Sequence, residues 1–98
     1  MAVHIEKLKK EIVPILRAHD VAQSSVFGSV ARGEATEGSD VDILVRFRGE
    51  KTLFDLMDLK EVLQKKLSRR VDVVTYDGLN RHLRKRVLTQ AISLLDDI

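Results

Sequence analysis

Residues Val41 to Phe47 alternate so regularly between apolar and polar side chains that they describe a strand with one buried face. Val41, Ile43, Val45 and Phe47 fall on one side; Asp40, Asp42, Leu44 and Arg46 fall on the other. Side chains at i and i+2 of a strand project together, so Asp40 and Asp42 point the same way. Two carboxylates about 5 Å apart repel by roughly 3 kcal/mol at an effective dielectric of about 20. A fold keeps such a pair if a cation sits between them or one is protonated. A second run, Val71 to Thr75, sets Val71, Val73 and Thr75 against Asp72 and Val74. If the Val41 and Val71 faces both pack on helices, then Asp40, Asp42 and Asp72 converge on the opposite, open side of the sheet.

Helical periodicity surrounds these runs. From about His4 to Arg17, Ile5, Leu8, Ile12, Ile15 and Leu16 recur at helical spacing, and Pro14 is expected to kink or restart that helix because it lacks a backbone donor. About Ser24 to Phe27 reads as a short strand entering a Gly28-Ser29 turn, with a brief helical turn over Ser29 to Arg32 stopped by Gly33. Thr52 and Asp55 have capping-box spacing and open a helix from about Leu53 to Leu67, with Leu56, Leu59, Leu63 and Leu67 as its apolar stripe. After an Asp77-Gly78 turn, Leu83, Val87, Ala91 and Leu95 predict a last helix from about Leu79 to Leu95. The order predicts an α/β fold: a small mixed sheet of about three strands, helices packed on one face, and a single domain over residues 1–98.

Composition narrows the function classes. With 44% apolar and 33% charged residues the chain is globular rather than disordered. No apolar run approaches the roughly 18 residues of a membrane span, and the first residues lack the apolar stretch of a signal peptide. Cysteine is absent, which excludes disulfides and thiolate metal sites and makes a cytoplasmic location the expectation. Net charge is +2, but if three carboxylates are committed to a cation the remaining surface is more basic, which suits a polyanionic ligand such as a nucleoside triphosphate. One Tyr, three Phe and no Trp provide no stacking platform for single-stranded nucleic acid.

The candidate chemistry combines a phosphate cradle with paired carboxylates. At Gly28 the absence of a Cβ would let the backbone approach a phosphate, and Ser29 would add a hydroxyl or serve as a helix cap. Arg32 is balanced between phosphate and an acidic neighbour. Mg²⁺ favours oxygen ligands and shares its shell with substrate phosphates; two such ions about 3.5–4 Å apart serve phosphoryl and nucleotidyl transfer. Asp40 and Asp42 are the natural bridging ligands, and Asp72 would complete the site or act as general base on an acceptor hydroxyl.

Gly28-Ser29-x-x-Arg32-Gly33, then Ser39-Asp40-x-Asp42, then Val71-Asp72-Val73-Val74 resembles the minimal nucleotidyltransferase domains of the DNA polymerase β-like superfamily, over nearly the whole chain. Many relatives carry a basic or bulky residue where this chain has Val30. The resemblance implies that Gly28 and Ser29 hold the triphosphate, with Arg32 beside them, and that Asp40, Asp42 and Asp72 bind Mg²⁺. It implies transfer of a nucleoside monophosphate, AMP from ATP, to a hydroxyl with release of pyrophosphate. It also implies a helical HEPN-type ribonuclease toxin as partner in a hetero-complex, this chain being its antitoxin, and, as in some members, adenylylation of a toxin tyrosine.

Other readings remain. A domain this small could neutralise its partner by occlusion, with catalysis vestigial. Arg81, Arg84, Lys85 and Arg86 form a short basic cluster, either a solvated helix face or a patch for phosphate or an acidic partner; no motif here reads DNA. His4, His19 and His82 are scattered among charged residues and are expected on the surface.

Overall fold

The computed structural model describes residues 4–36 and 38–98. Its elements run α1 (Ile5–Ala18), β1 (Val21–Phe27), α2 (Gly28–Ala31), β2 (Val41–Phe47), α3 (Leu53–Leu67), β3 (Val71–Thr75), α4 (Arg81–Gln90) and β4 (Ile92–Asp96). The strands form one mixed sheet in the order β3-β2-β1-β4. β1 is antiparallel to both β2 and β4, while β2 and β3 are parallel.

The core follows from the alternation. Val41, Ile43 and Val45 of β2, Val71 of β3 and Val21 and Val26 of β1 are buried against Leu8, Ile12 and Leu16 of α1 and Leu59 and Leu63 of α3. Leu56 and Leu67 pack at its margin. The capping box at α3 is formed: the Thr52 hydroxyl accepts from the Asp55 amide at 3.4 Å, and the Asp55 carboxylate accepts from the Thr52 amide at 2.8 Å. α1 does not restart at Pro14. α1 continues through it because Pro14 and Lys10 lie on the exposed side, where water can satisfy the Lys10 carbonyl. β1 begins three residues earlier than its sequence suggested, directly after Asp20 takes a left-handed conformation (φ 62°) that turns the chain out of α1.

The last helix is shorter than expected and a fourth strand replaces its end. Ala91 adopts φ −64° and ψ 142°, which stops α4, and Ile92–Asp96 pairs with the free edge of β1. A slip in the β1–β4 register leaves Leu94 as an extra residue between Ser93 and Leu95, so two consecutive leucines are both buried. That burial pattern mimics neither a clean strand nor a helix.

Chain direction also places α4. The β2–α3–β3 crossover moves outward along the sheet and β3–α4–β4 moves back across it; two right-handed crossovers in opposite directions lie on opposite faces. α4 accordingly touches β1 and α2, while α1 and α3 pack together on the core side. Leu44, fully buried yet outside the main core cluster, lies on this second face. Farther along it, the Tyr76 hydroxyl meets Ser25 Oγ at 2.9 Å and the Arg46 guanidinium lies 5.2 Å from the Tyr76 ring centre. Among the described residues no helix is long and apolar enough to cross a membrane.

Candidate active site

Three adjacent strands bring the candidate residues into one row. Phe27, the last residue of β1, pairs with Asp42 of β2, and Asp42 pairs with Asp72 of β3. The chain then leaves β1 through Gly28, whose φ of +70° disfavours any residue with a side chain. A Cβ at Gly28 would collide with the Asp42 carboxylate. Space and backbone conformation thus both demand glycine, and the reason is the carboxylate beside it. Asp40 lies one residue before β2, at the mouth of the strand.

The electrostatics are unfavourable by construction. Burial pushes the Asp42 carboxyl up from 3.8 to about 6, and the charges of Asp72 and Asp40 and hydrogen bonding to Asp72 push in the same direction. Arg32 offsets this only slightly. Its guanidinium Nε instead donates to Glu34 at 3.1 Å, so the structure shows the acidic neighbour of Arg32 engaged. Lys60 of α3, not singled out from sequence, reaches to 3.9 Å from Asp72 Oδ1. Both side chains of that pair are 42% exposed, so solvent screens the attraction. The sequence signal for Lys60 is faint: it follows the buried Leu59 and therefore flanks the apolar stripe of α3.

Ser29 is not the cap of α2. Phe27 holds that position, without a side-chain hydrogen bond, and Ser29 is the second helical residue. Its hydroxyl is therefore not consumed in capping. His4 precedes α1, His19 follows it and His82 lies in the first turn of α4. Arg81, Arg84, Lys85 and Arg86 are exposed along α4, and Arg84 Nη2 donates to the Tyr76 carbonyl at 3.3 Å.

The donor set is all oxygen, suited to a hard cation such as Mg²⁺ and unsuited to softer metals. Among the described residues no three carboxylate or imidazole groups form a ready-made metal cage. The convergence expected of three aspartates is closest for the Asp42–Asp72 pair, with Asp40 within electrostatic reach. Two carboxylates leave coordination positions for phosphate oxygens and water, which is how Mg²⁺ usually meets nucleotides.

Comparison with known proteins settles the lineage. The nucleotidyltransferase domain family matches residues 5–95. The chain belongs to that family. As a nucleotidyltransferase domain it is of the minimal kind, an α/β unit over the residues described. The Methanocaldococcus jannaschii protein MJ0435 is 44% identical over 93 residues, covering 95% of this chain and 100% of the relative. Protein adenylyltransferase MntA of Thermococcus cleftensis is 41% identical over 91 residues, covering 85% of this chain and 92% of the relative. A crystal structure of a toxin–antitoxin with AMP-PNP superposes with a TM-score of 0.80 at 26% identity, over 90% of this chain and 73% of that one.

Proposed function

We propose that this nucleotidyltransferase is Mg²⁺-dependent and transfers AMP from ATP to a hydroxyl, a tyrosine of a partner protein, and that it acts as the antitoxin of a HEPN-type ribonuclease toxin. The observation carrying this reading is the row Gly28–Asp42–Asp72, in which a bare Cα makes room for a carboxylate already crowded by another. The adenylyltransferase relative and the AMP-PNP-containing toxin–antitoxin neighbour support the nucleotide and the partner.

Asp40, Asp42 and Asp72 would hold the metal, as two ions, and Gly28 and Ser29 the triphosphate. When bound, Mg²⁺ draws negative charge from the phosphates and from the departing pyrophosphate. The residues of the chain do the rest. Gly28 keeps the backbone close to the reacting phosphate, Ser29 directs a hydroxyl to it, and Arg32 contributes positive charge at the rim. Asp72 takes the proton of the acceptor hydroxyl. The acceptor oxygen bonds to the α-phosphorus, the bond from that phosphorus to its bridging oxygen breaks, and pyrophosphate leaves with that electron pair. A protein acceptor suits the site better than nucleic acid, since one Tyr, three Phe and no Trp offer few aromatics to stack bases.

A second reading, neutralisation by occlusion, draws on one observation. Leu53, Phe54 and Met57 at the start of α3 are 69%, 77% and 56% exposed, an apolar surface available to a partner whether or not transfer occurs. Incubating this chain with its helical partner, ATP and Mg²⁺ and weighing the partner intact separates the readings. Catalysis predicts adenylyl mass on the partner, absent with Asp42→Asn or without metal, and loss of neutralisation in that variant. An unmodified partner that is still neutralised supports occlusion. Transfer to tRNA or a small molecule instead overturns the choice of acceptor.

A further inference from the structure

Asp40 lies outside β2, so strand pairing alone does not fix its backbone. It is preceded by a turn that closes on itself: the Ser39 amide donates to the Thr36 carbonyl at 3.1 Å, and the Thr36 amide donates to Ser39 Oγ at 2.9 Å. A turn closed only by its own hydrogen bonds could still swing relative to the sheet. Arg69 adds bonds from outside the turn. Its Nη1 donates to the Thr36 carbonyl at 3.1 Å and to the Ser39 carbonyl at 3.3 Å, joining both ends of the turn to the segment that leads into β3. On the other side of Asp40, the Val41 amide donates to the Arg70 carbonyl at 2.9 Å. β3 is in turn anchored to α3, because the Gln64 side chain accepts from the Val71 amide at 3.1 Å. Asp40 is thus bracketed by bonds to Arg69 and Arg70, immediately before the strand that carries Asp72.

We propose that Arg69 is a positioning residue that sets Asp40 in register with Asp42 and Asp72 for the metal. The inference rests on the metal-dependent reading above and extends it to a residue that touches neither metal nor nucleotide. A guanidinium suits the task because its rigid, permanently charged array of donors can reach two carbonyls. Asp40 needs such support more than its neighbours: Asp42 and Asp72 are held within paired strands, whereas Asp40 depends on the loop before it.

The test uses the full chain with ATP and Mg²⁺, comparing parent, Arg69→Ala and Arg69→Lys. Removing a group that orients a metal ligand costs roughly 10–100-fold in metal affinity or activity. The half-saturating Mg²⁺ concentration for nucleotide binding should therefore rise about tenfold in Arg69→Ala, with the lysine variant recovering a large part. Amide hydrogen exchange should quicken at Ser39 and Val41, the bonded amides on either side of Asp40, in the alanine variant and stay slow at Ile43 and Val73. A variant that melts lower but keeps the parental Mg²⁺ response and parental exchange at Ser39 and Val41 overturns the proposal and leaves a merely structural arginine. If the parent itself shows no metal-dependent nucleotide binding, the proposed function fails, and the metal-directed role of Arg69 with it. A parental response with an unchanged alanine variant fails Arg69 alone.

Discussion

Asp42, in the interior strand β2, and Asp97, just past the edge strand β4, are carboxylates of one sheet, and the fold treats them in opposite ways. Asp97 accepts from Arg17 Nε at 3.0 Å and Nη2 at 3.2 Å, with Arg48 Nη2 at 3.4 Å, and these partners hold its carboxyl below the usual range. Asp20 is similarly held down by Lys51 at 2.7 Å, and Asp55 by the backbone and hydroxyl of Thr52. Asp42 instead is half-buried beside two other carboxylates and pushed up to about 6. Peripheral carboxylates are matched with donors, whereas the carboxylates of the site are crowded against each other. Such crowding is relieved when a proton or a cation arrives, which is the electrostatic pattern of a binding site rather than of a structural ion pair.

The comparison breaks first if Asp42 is dispensable. Asp42→Asn should lower transfer by about three orders of magnitude, the several kcal/mol of charge stabilisation attributed to a catalytic metal at roughly 1.4 kcal/mol per decade. Rates of adenylyl transfer at saturating ATP and Mg²⁺ check this. Asp97→Asn should leave the rate unchanged.

Gly28→Ala tests the same carboxylate from the other side. The new methyl must displace Asp42 or distort a backbone held at φ +70°. A misplacement of about 1 Å at a reacting centre costs on the order of 100-fold, which is the loss expected in kcat. A circular-dichroism melt distinguishes that loss from unfolding, and full activity would show that the crowding at Asp42 is immaterial.

The pH dependence of stability sharpens the contrast further, because the signs differ. Between its ordinary value of 3.8 and about 6, the folded chain keeps a proton on Asp42 that the unfolded chain has released. Its contribution is therefore present at low pH and lost as pH rises through about 6. Without metal, Asp42→Asn should melt higher than the parent at pH 8, by on the order of 1 kcal/mol after allowing for solvent screening, and the gain should vanish near pH 4. Asp20, Asp55 and Asp97 act oppositely: their pairing stabilises above the ordinary carboxylate range and is lost as pH falls. The smallest effect is accordingly expected from Asp97→Asn, a slight loss of thermal stability near neutral pH that disappears in acid, read from melting curves with and without salt.

The strands carrying Asp42 and Asp72 were legible because alternation has a fixed period and each run sets β-branched apolar residues on the face opposite its aspartate. Helical spacing predicted which residues of α3 enter the core, and Thr52 with Asp55 marked its start. Lys60 and Arg69 were not legible. Both are ordinary surface-type residues in a basic chain, and what distinguishes them is proximity across the fold: Lys60 to Asp72, Arg69 to the turn before Asp40. Pro14 does not restart α1 because the cost of a missing donor depends on which side of the helix faces water.

Local sequence by itself determined the periodic elements, the glycine at the end of β1 and the pairing of aspartates with a strand face, since these depend on side-chain period and backbone freedom over a few residues. Tertiary structure alone decided the fate of the last segment. Leu83, Val87, Ala91 and Leu95 satisfy a helical spacing throughout, yet the chain leaves the helix at Ala91 because β1 has an open edge whose amides and carbonyls Ile92–Asp96 can pair. It likewise decided that α4 crosses the face bearing the aspartates, because the chain had to return over the sheet with the same crossover hand. The free energy of pairing a distant edge, and the handedness of a connection, are properties of the assembled sheet that no window of the sequence contains.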